Sequence, residues 1–135
     1  MKTEATVRAA VVSGQFYPED PRALKDQIRG FLTQAQSRED DSVRALIVPH
    51  AGYDYSGQVA AEAYKRVAGH KFDCVVVIAF LHRMLLEGVL VDDVAAYETP
   101  LGRVPVDREL VREIQKFHPL FREAVPGPIE EHSLE

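Results

Sequence analysis

Ala45-Leu46-Ile47-Val48-Pro49-His50, then Ser56-Gly57 through Val67-Ala68-Gly69, then Cys74-Val75-Val76-Val77-Ile78: the run from Val43 to Ile78 decides the fold. Its first apolar stretch is continuous and stopped by Pro49, which reads as a short strand buried on both faces. Between Gly57 and Gly69, Val59, Ala60, Ala63, Tyr64 and Val67 recur at helical spacing, with Ser56 as the cap and Gly69 as the stop. Cys74 to Ile78, apolar and rich in β-branched residues, is the strongest strand signal in the chain. Strand, helix and strand in this order predict a βαβ unit with parallel strands and a right-handed crossover. The expected class is α/β, a mainly parallel sheet flanked by helices.

Outward from that unit, Asp20 is a good N-cap with Pro21 at the first helical position. Leu24, Ile28, Phe31, Leu32 and Ala35 then share one face of a helix. Ser37 to Ser42 is polar and acidic, a surface loop. Downstream, Gly88 to Val91 reads as a strand and Thr99-Pro100-Leu101-Gly102 as a turn. Asp107 caps a helix carrying Leu110, Val111, Ile114 and Phe117, which His118-Pro119 ends. Pro126-Gly127-Pro128 marks a break before the closing Glu130-Glu131-His132-Ser133-Leu134-Glu135.

The 135 residues include 16 Lys+Arg and 21 Asp+Glu, a formal charge of −5, with 46% hydrophobic and 27% charged residues. That is the make-up of one globular domain able to bury a core, not of a disordered chain. An acidic balance without a basic run offers no footprint for nucleic acid or an anionic membrane. The longest apolar run, Cys74 to Leu81, is eight residues, far short of the roughly 20 that span a bilayer. Met1 to Arg8 has no signal-peptide core, and a lone Cys74 closes no disulfide within the chain, so a reducing, cytoplasmic location is expected.

In open α/β sheets, ligands bind beyond the carboxyl ends of the strands. His50 follows the first expected strand and His82 the second, in Ala79-Phe80-Leu81-His82, so one crossover sets both on the same rim. Two neutral imidazoles there form a partial site for iron, copper or zinc. A histidine at a loop start also serves as a simple polar cap; the matched topological positions of the two favour the ligand reading. Gly52-Tyr53-Asp54-Tyr55-Ser56-Gly57 is spaced like a phosphate loop but lacks the Lys and Ser/Thr that a nucleotide needs, so no nucleotide cofactor is expected. Cys74 reads as a small buried hydrophobe. His70 and His118 suit helix C-termini, and Tyr53 and Tyr55 either pack in the core or present phenols to the crevice.

Four segments together resemble a known family. They are Gly14-Gln15-Phe16-Tyr17-Pro18, Val48-Pro49-His50-Ala51-Gly52-Tyr53-Asp54-Tyr55-Ser56-Gly57, Thr99-Pro100-Leu101-Gly102 with Val106-Asp107, and Glu131-His132-Ser133-Leu134-Glu135. In this order they resemble the signatures of the Memo-like family, also called AmmeMemoRadiSam system protein B. The resemblance implies an α/β fold related to the catalytic subunit of class III extradiol dioxygenases, which use non-haem iron. It implies a His-lined cleft in which His50 and His82 are metal ligands and His132 is a further ligand or an acid or base; Tyr53, from its place after His50, is the second catalytic candidate. Iron or copper is the implied cofactor and a dioxygenase-like redox reaction the implied chemistry.

This sequence departs from the family pattern in two places. Before His82 the family carries Gly-Pro-Ser, and here Ala79-Phe80-Leu81 changes the turn that aims the imidazole. Family members also continue well past Glu-His-Ser-Leu-Glu, so the chain, residues 1–135, resembles a single Memo-like domain truncated at its C-terminus. A third ligand from the later part has no counterpart, and an unpaired sheet edge would favour self-association into a homo-oligomer. The resemblance thus also admits a non-catalytic module that binds a protein partner, including a phosphopeptide or a radical SAM-associated protein, and an inactive fragment of a split family member.

Overall fold

The computed structural model describes residues 6–82, 87–123 and 131–135. The chain forms two compact units. One comprises residues 12–76 with Glu135 and is helical; the other comprises residues up to 11 and from 77 to 134 and carries the strands.

The helical unit is built on a tight turn. The N–H groups of Gln15 and Phe16 donate to the Val12 carbonyl, and that of Gly14 to the Tyr17 carbonyl. Val12 and Tyr17 then meet Leu24 in a small core, with Phe16, Ile28 and Tyr53 packed against it. Leu24 belongs to helix α1, Pro21–Gln34, whose N-cap Asp20 accepts from the Ala23 N–H as the Asp-Pro start predicts. The Glu135 carboxylate accepts from the Val12 N–H and from the Tyr17 hydroxyl at 2.7 Å. Burial and that acceptor push the Tyr17 phenol well above the ordinary range.

Helix α2 spans Tyr53–Tyr64 and runs into a 3-10 turn, Lys65–Val67. It begins ahead of the expected Gly57. Ser56 does not cap it, because the Ser56 hydroxyl turns back to the Ala51 carbonyl and the Tyr53 N–H is already held by the Phe16 carbonyl. The buried stripe is Ser56, Gly57 and Ala61, with Gly57 against the Phe31 ring, while Val59 and Tyr64, expected to face inward, are exposed. The loop after α1 is stapled by Glu62, which accepts from the N–H groups of Gln36 and Ser37 and from the Ser37 hydroxyl. Beyond Gly69, which takes a left-handed φ of 81°, the His70 Nε2 meets Asp41 Oδ1 at 2.8 Å.

In the other unit, β1 (Val7–Arg8) pairs parallel with β3 (Ala96–Thr99), and β3 pairs antiparallel with β4 (Gly102–Pro105) through the expected Thr99–Gly102 turn. The strand expected at Gly88–Val91 is β2, Val89–Val91, in a parallel pair with β5, Phe121–Glu123. Between β4 and β5 lies α3, Arg108–Phe117, capped by Asp107 through the Glu109 and Leu110 N–H groups. Val111 is its buried residue, and Phe117 is exposed where the periodicity places it inward. Arg108 anchors the helix start on Asp93 with a two-pronged bond of 2.6 and 3.0 Å.

The class is α/β, but the central βαβ unit is not formed. Val43–Val48 and Cys74–Ile78 have no regular structure; Ile47 is 98% exposed, with Val43, Leu46 and Val48 half-buried, and the apolar side chains from Val75 to Ile78 are open, Ile78 by 81%. Cys74 is exposed, not a buried hydrophobe. A strand exists only by pairing, and a strand apolar on both faces also needs a layer over each; neither segment has a ladder partner among the described residues. Val59 and Tyr64 of α2 are open as well, and no strand pairs over that face among the described residues. The sheets that do form are small, and the larger mixes a parallel with an antiparallel pair. The break expected at Pro126-Gly127-Pro128 lies outside the described residues. No described helix is long and apolar enough to cross a membrane.

Two predictions follow from packing and charge in the helical unit. A Cβ on Gly57 would come within 2.8 Å of Phe31 Cδ2 and Cζ, whereas one on Gly30 of α1 meets nothing within 4 Å. Gly57→Ala is therefore expected to lower the unfolding free energy by about 1–3 kcal/mol through overpacking, and Gly30→Ala to raise it by about 0.5–1 kcal/mol through chain entropy; urea denaturation reads both. The Asp41 carboxylate holds the His70 imidazolium, raising its pKa above the ordinary 6.5. Because the folded value is raised, that stabilisation is present below pH 6.5 and is lost as pH rises through the folded value. Proton NMR of the His70 ring should show the midpoint falling back toward 6.5 in Asp41→Ala.

Candidate metal centre

The strand-bearing unit places one buried carboxylate at the centre of a short turn. Glu131 is 5% exposed. Its Oε1 accepts from the main-chain N–H groups of His132 at 2.9 Å and Ser133 at 3.0 Å, so the side chain organises the two residues that follow it. The same oxygen lies 3.0 Å from His82 Nδ1, and Oε2 accepts from the His82 N–H at 2.6 Å. Ser133 completes the join by donating its hydroxyl to the Phe80 carbonyl. Residues 80–82 and 131–133 are thereby laced together by bonds that mostly end on main-chain atoms.

Burial of Glu131 favours the neutral acid, yet the His82 ring and the N–H donors of His82 and Ser133 outweigh it and hold the carboxyl well below the usual carboxylate range. An ionised carboxylate only accepts, so His82 Nδ1 carries the proton of that bond. In the neutral ring, Nε2 is then the basic nitrogen. The His82 and His132 rings stack with centroids 5.0 Å apart and planes 14° from parallel, and the Phe80 ring lies with its centroid 6.2 Å from that of His82, its plane inclined by 63°.

His82, Glu131 and His132 each offer a ligand atom, all within 4.8 Å of one another. A metal with bonds of about 2.0–2.2 Å draws its ligand atoms to roughly 3–4 Å apart, a closure within reach of side-chain rotation. Two imidazoles with a carboxylate suit a divalent first-row metal. With four N–H groups directed at it, Glu131 fits best as the carboxylate that fixes the tautomer and aim of His82, a standard companion of metal-ligating histidine.

Of the residues singled out from sequence, His82 and His132 are brought together. His50 and Tyr53 belong to the helical unit. His50 is exposed, on the segment leading to Gly52, the N-cap of α2. Tyr53 is the first residue of α2 and packs on Tyr17 with ring centroids 5.5 Å apart, and burial raises its phenol above the ordinary range. Sequence reading passed over Glu131. The signal was there in Glu-His-Ser, where an acid that can cap the next two N–H groups precedes a histidine.

A small α/β scaffold with a carboxylate-anchored histidine pair defines a candidate metal-binding protein. The chain belongs to the Memo-like protein family, matching it over residues 8–135. It is 37% identical over 129 residues to a MEMO1 family protein of Aquifex aeolicus, covering 96% of this chain and 47% of that one. It is 33% identical over 135 residues to Protein MEMO1 of Xenopus laevis, covering 100% and 45%, and 32% identical to the human protein over the same length. The chain thus spans about half the length of the curated relatives it matches.

Truncating the carboxylate tests its structural share. Glu131→Ala leaves the His132 and Ser133 N–H groups without their acceptor in a buried turn. It is expected to cost about 1–3 kcal/mol of metal-free stability in urea, with the imidazole signals of His82 and His132 broadened or shifted in NMR.

Proposed function

We propose that this chain is a non-haem metal-binding protein of dioxygenase-like redox type, with His82 and His132 as its ligands in the strand-bearing unit. The observation that carries the reading is the group His82, Glu131 and His132, whose ligand atoms lie within 4.8 Å of one another, with Glu131 fixing one ring. Iron or copper bound there would supply a redox-active Lewis acid for an oxygen-containing substrate or dioxygen. The chain's own work is to hold His82 in one tautomer, to keep the His132 ring within reach of the same ion, and to place apolar Phe80 beside the pair. His132 is the residue for which a proton-carrying role competes with ligation.

A second reading, a module acting through a protein partner or a second copy, is favoured by the open apolar side chains at Ile47, Val75, Ile78 and Phe80. Such residues cluster in two segments that are unpaired among the described residues. Sedimentation or light scattering of the purified chain separates a monomer from an assembly.

Titration of the purified full chain with Fe(II) under anaerobic conditions, and with Cu(II), tests the metal reading. Stoichiometric binding is expected, abolished in His82→Ala and weakened about 10–100-fold in Glu131→Gln, the usual effect of removing a carboxylate that orients a ligand. His132→Ala is expected to abolish binding as well, and retained binding removes His132 from the ligand set. Failure of the unaltered chain to bind either metal defeats the proposal.

A further inference from the structure

The main chain of Glu131 is held from a second direction. Arg8, on β1, donates from Nη2 to the Glu131 carbonyl at 2.6 Å and from Nη1 to Asp92 Oδ2. The Tyr97 hydroxyl donates to that same Asp92 oxygen at 2.7 Å, and the Arg8 guanidinium lies 5.6 Å from the centroid of the Tyr97 ring. Arg8 and Tyr97 are register partners in the β1–β3 ladder, so the sheet itself sets the guanidinium over the ring. The Arg8 and Asp92 side chains are only 16% and 17% exposed, which limits solvent screening of the pair.

We propose that Arg8, backed by Asp92 and Tyr97, is a positioning residue for the His82–His132 pair. This rests on the metal reading above. One end of the guanidinium is fixed on the sheet through Asp92 and Tyr97. The other fixes the peptide from which both the orienting carboxylate and, one residue on, the His132 ring project. An ion pair serving β1 alone would explain the Arg8–Asp92 arm but not the arm that ends on a carbonyl beside His132. The two-pronged geometry suits arginine, whose rigid fork offers two nitrogens fixed relative to one another, whereas an ammonium is a single point donor. Without the fork, the turn at 131–133 keeps its own hydrogen bonds but loses its fixed place relative to the sheet.

The test uses the full chain and Co(II), whose visible spectrum reports ligand geometry, in the unaltered protein, Arg8→Lys and Tyr97→Phe. Arg8→Lys is expected to weaken Co(II) binding about 10–100-fold and to alter the visible bands of the bound ion, while the far-ultraviolet circular dichroism of the metal-free chain stays the same. Tyr97→Phe should shift both in the same direction by less. Equal affinity and an identical spectrum in Arg8→Lys overturn the positioning role and leave the metal reading standing. If Arg8→Lys does not fold, Tyr97→Phe decides on the same criterion. No Co(II) binding by the unaltered chain overturns the metal reading, and the role of Arg8 with it.

Discussion

The Glu131 carboxylate is the constraint around which the strand-bearing unit is organised. An ion in a nearly closed site carries a desolvation cost of several kcal/mol unless its oxygens are fully occupied. Here they are met by the His82 ring and by the main-chain N–H groups of His82, His132 and Ser133. Charge-assisted bonds are about twice as strong as neutral ones, and most of these are made to main-chain donors with no rotamer freedom to lose. The same bonds that make burial tolerable also fix a loop closure between residues 82 and 131. Structure and candidate chemistry therefore share one group, and a change at Glu131 disturbs both.

Local structure was legible in the sequence wherever a side chain satisfies its own neighbourhood. Asp20-Pro21 and Asp107 start helices because a carboxylate accepts from N–H groups two or three residues on, and Thr99-Pro100-Leu101-Gly102 turns because Gly102 takes a φ of 126° without a side-chain clash. The start of α2 was misplaced because Ser56 resembles a cap, while the decisive bond comes from the Phe16 carbonyl, far off in the chain. The metal centre was half legible. Histidines declare themselves by type, whereas Glu131 looks like any surface acid until its burial and its partners from residue 82 are known.

The two apolar runs show where reading by local pattern stops. Continuous β-branched residues state that a segment suits a buried strand; they do not supply the neighbours that make it one. Val43–Val48 and Cys74–Ile78 carry the composition without the ladder, and Val59 and Tyr64 of α2 are open as well. Strand identity is a property of at least two segments and the layer over them.

The altered turn before His82 has a physical answer in these bonds. Gly-Pro-Ser would aim the imidazole through its own backbone preferences, and Ala79-Phe80-Leu81 has none of them. The aim of His82 is instead set from the other side. Ser133 Oγ holds the Phe80 carbonyl, and Glu131 holds the His82 N–H and Nδ1. Two of these three bonds end on main-chain atoms, so they are indifferent to which side chains stand at positions 80 and 81. Phe80 is 73% exposed, with its ring centroid 6.2 Å from that of His82. The Glu-His-Ser turn can thus carry an orienting task that a glycine and a proline would otherwise perform.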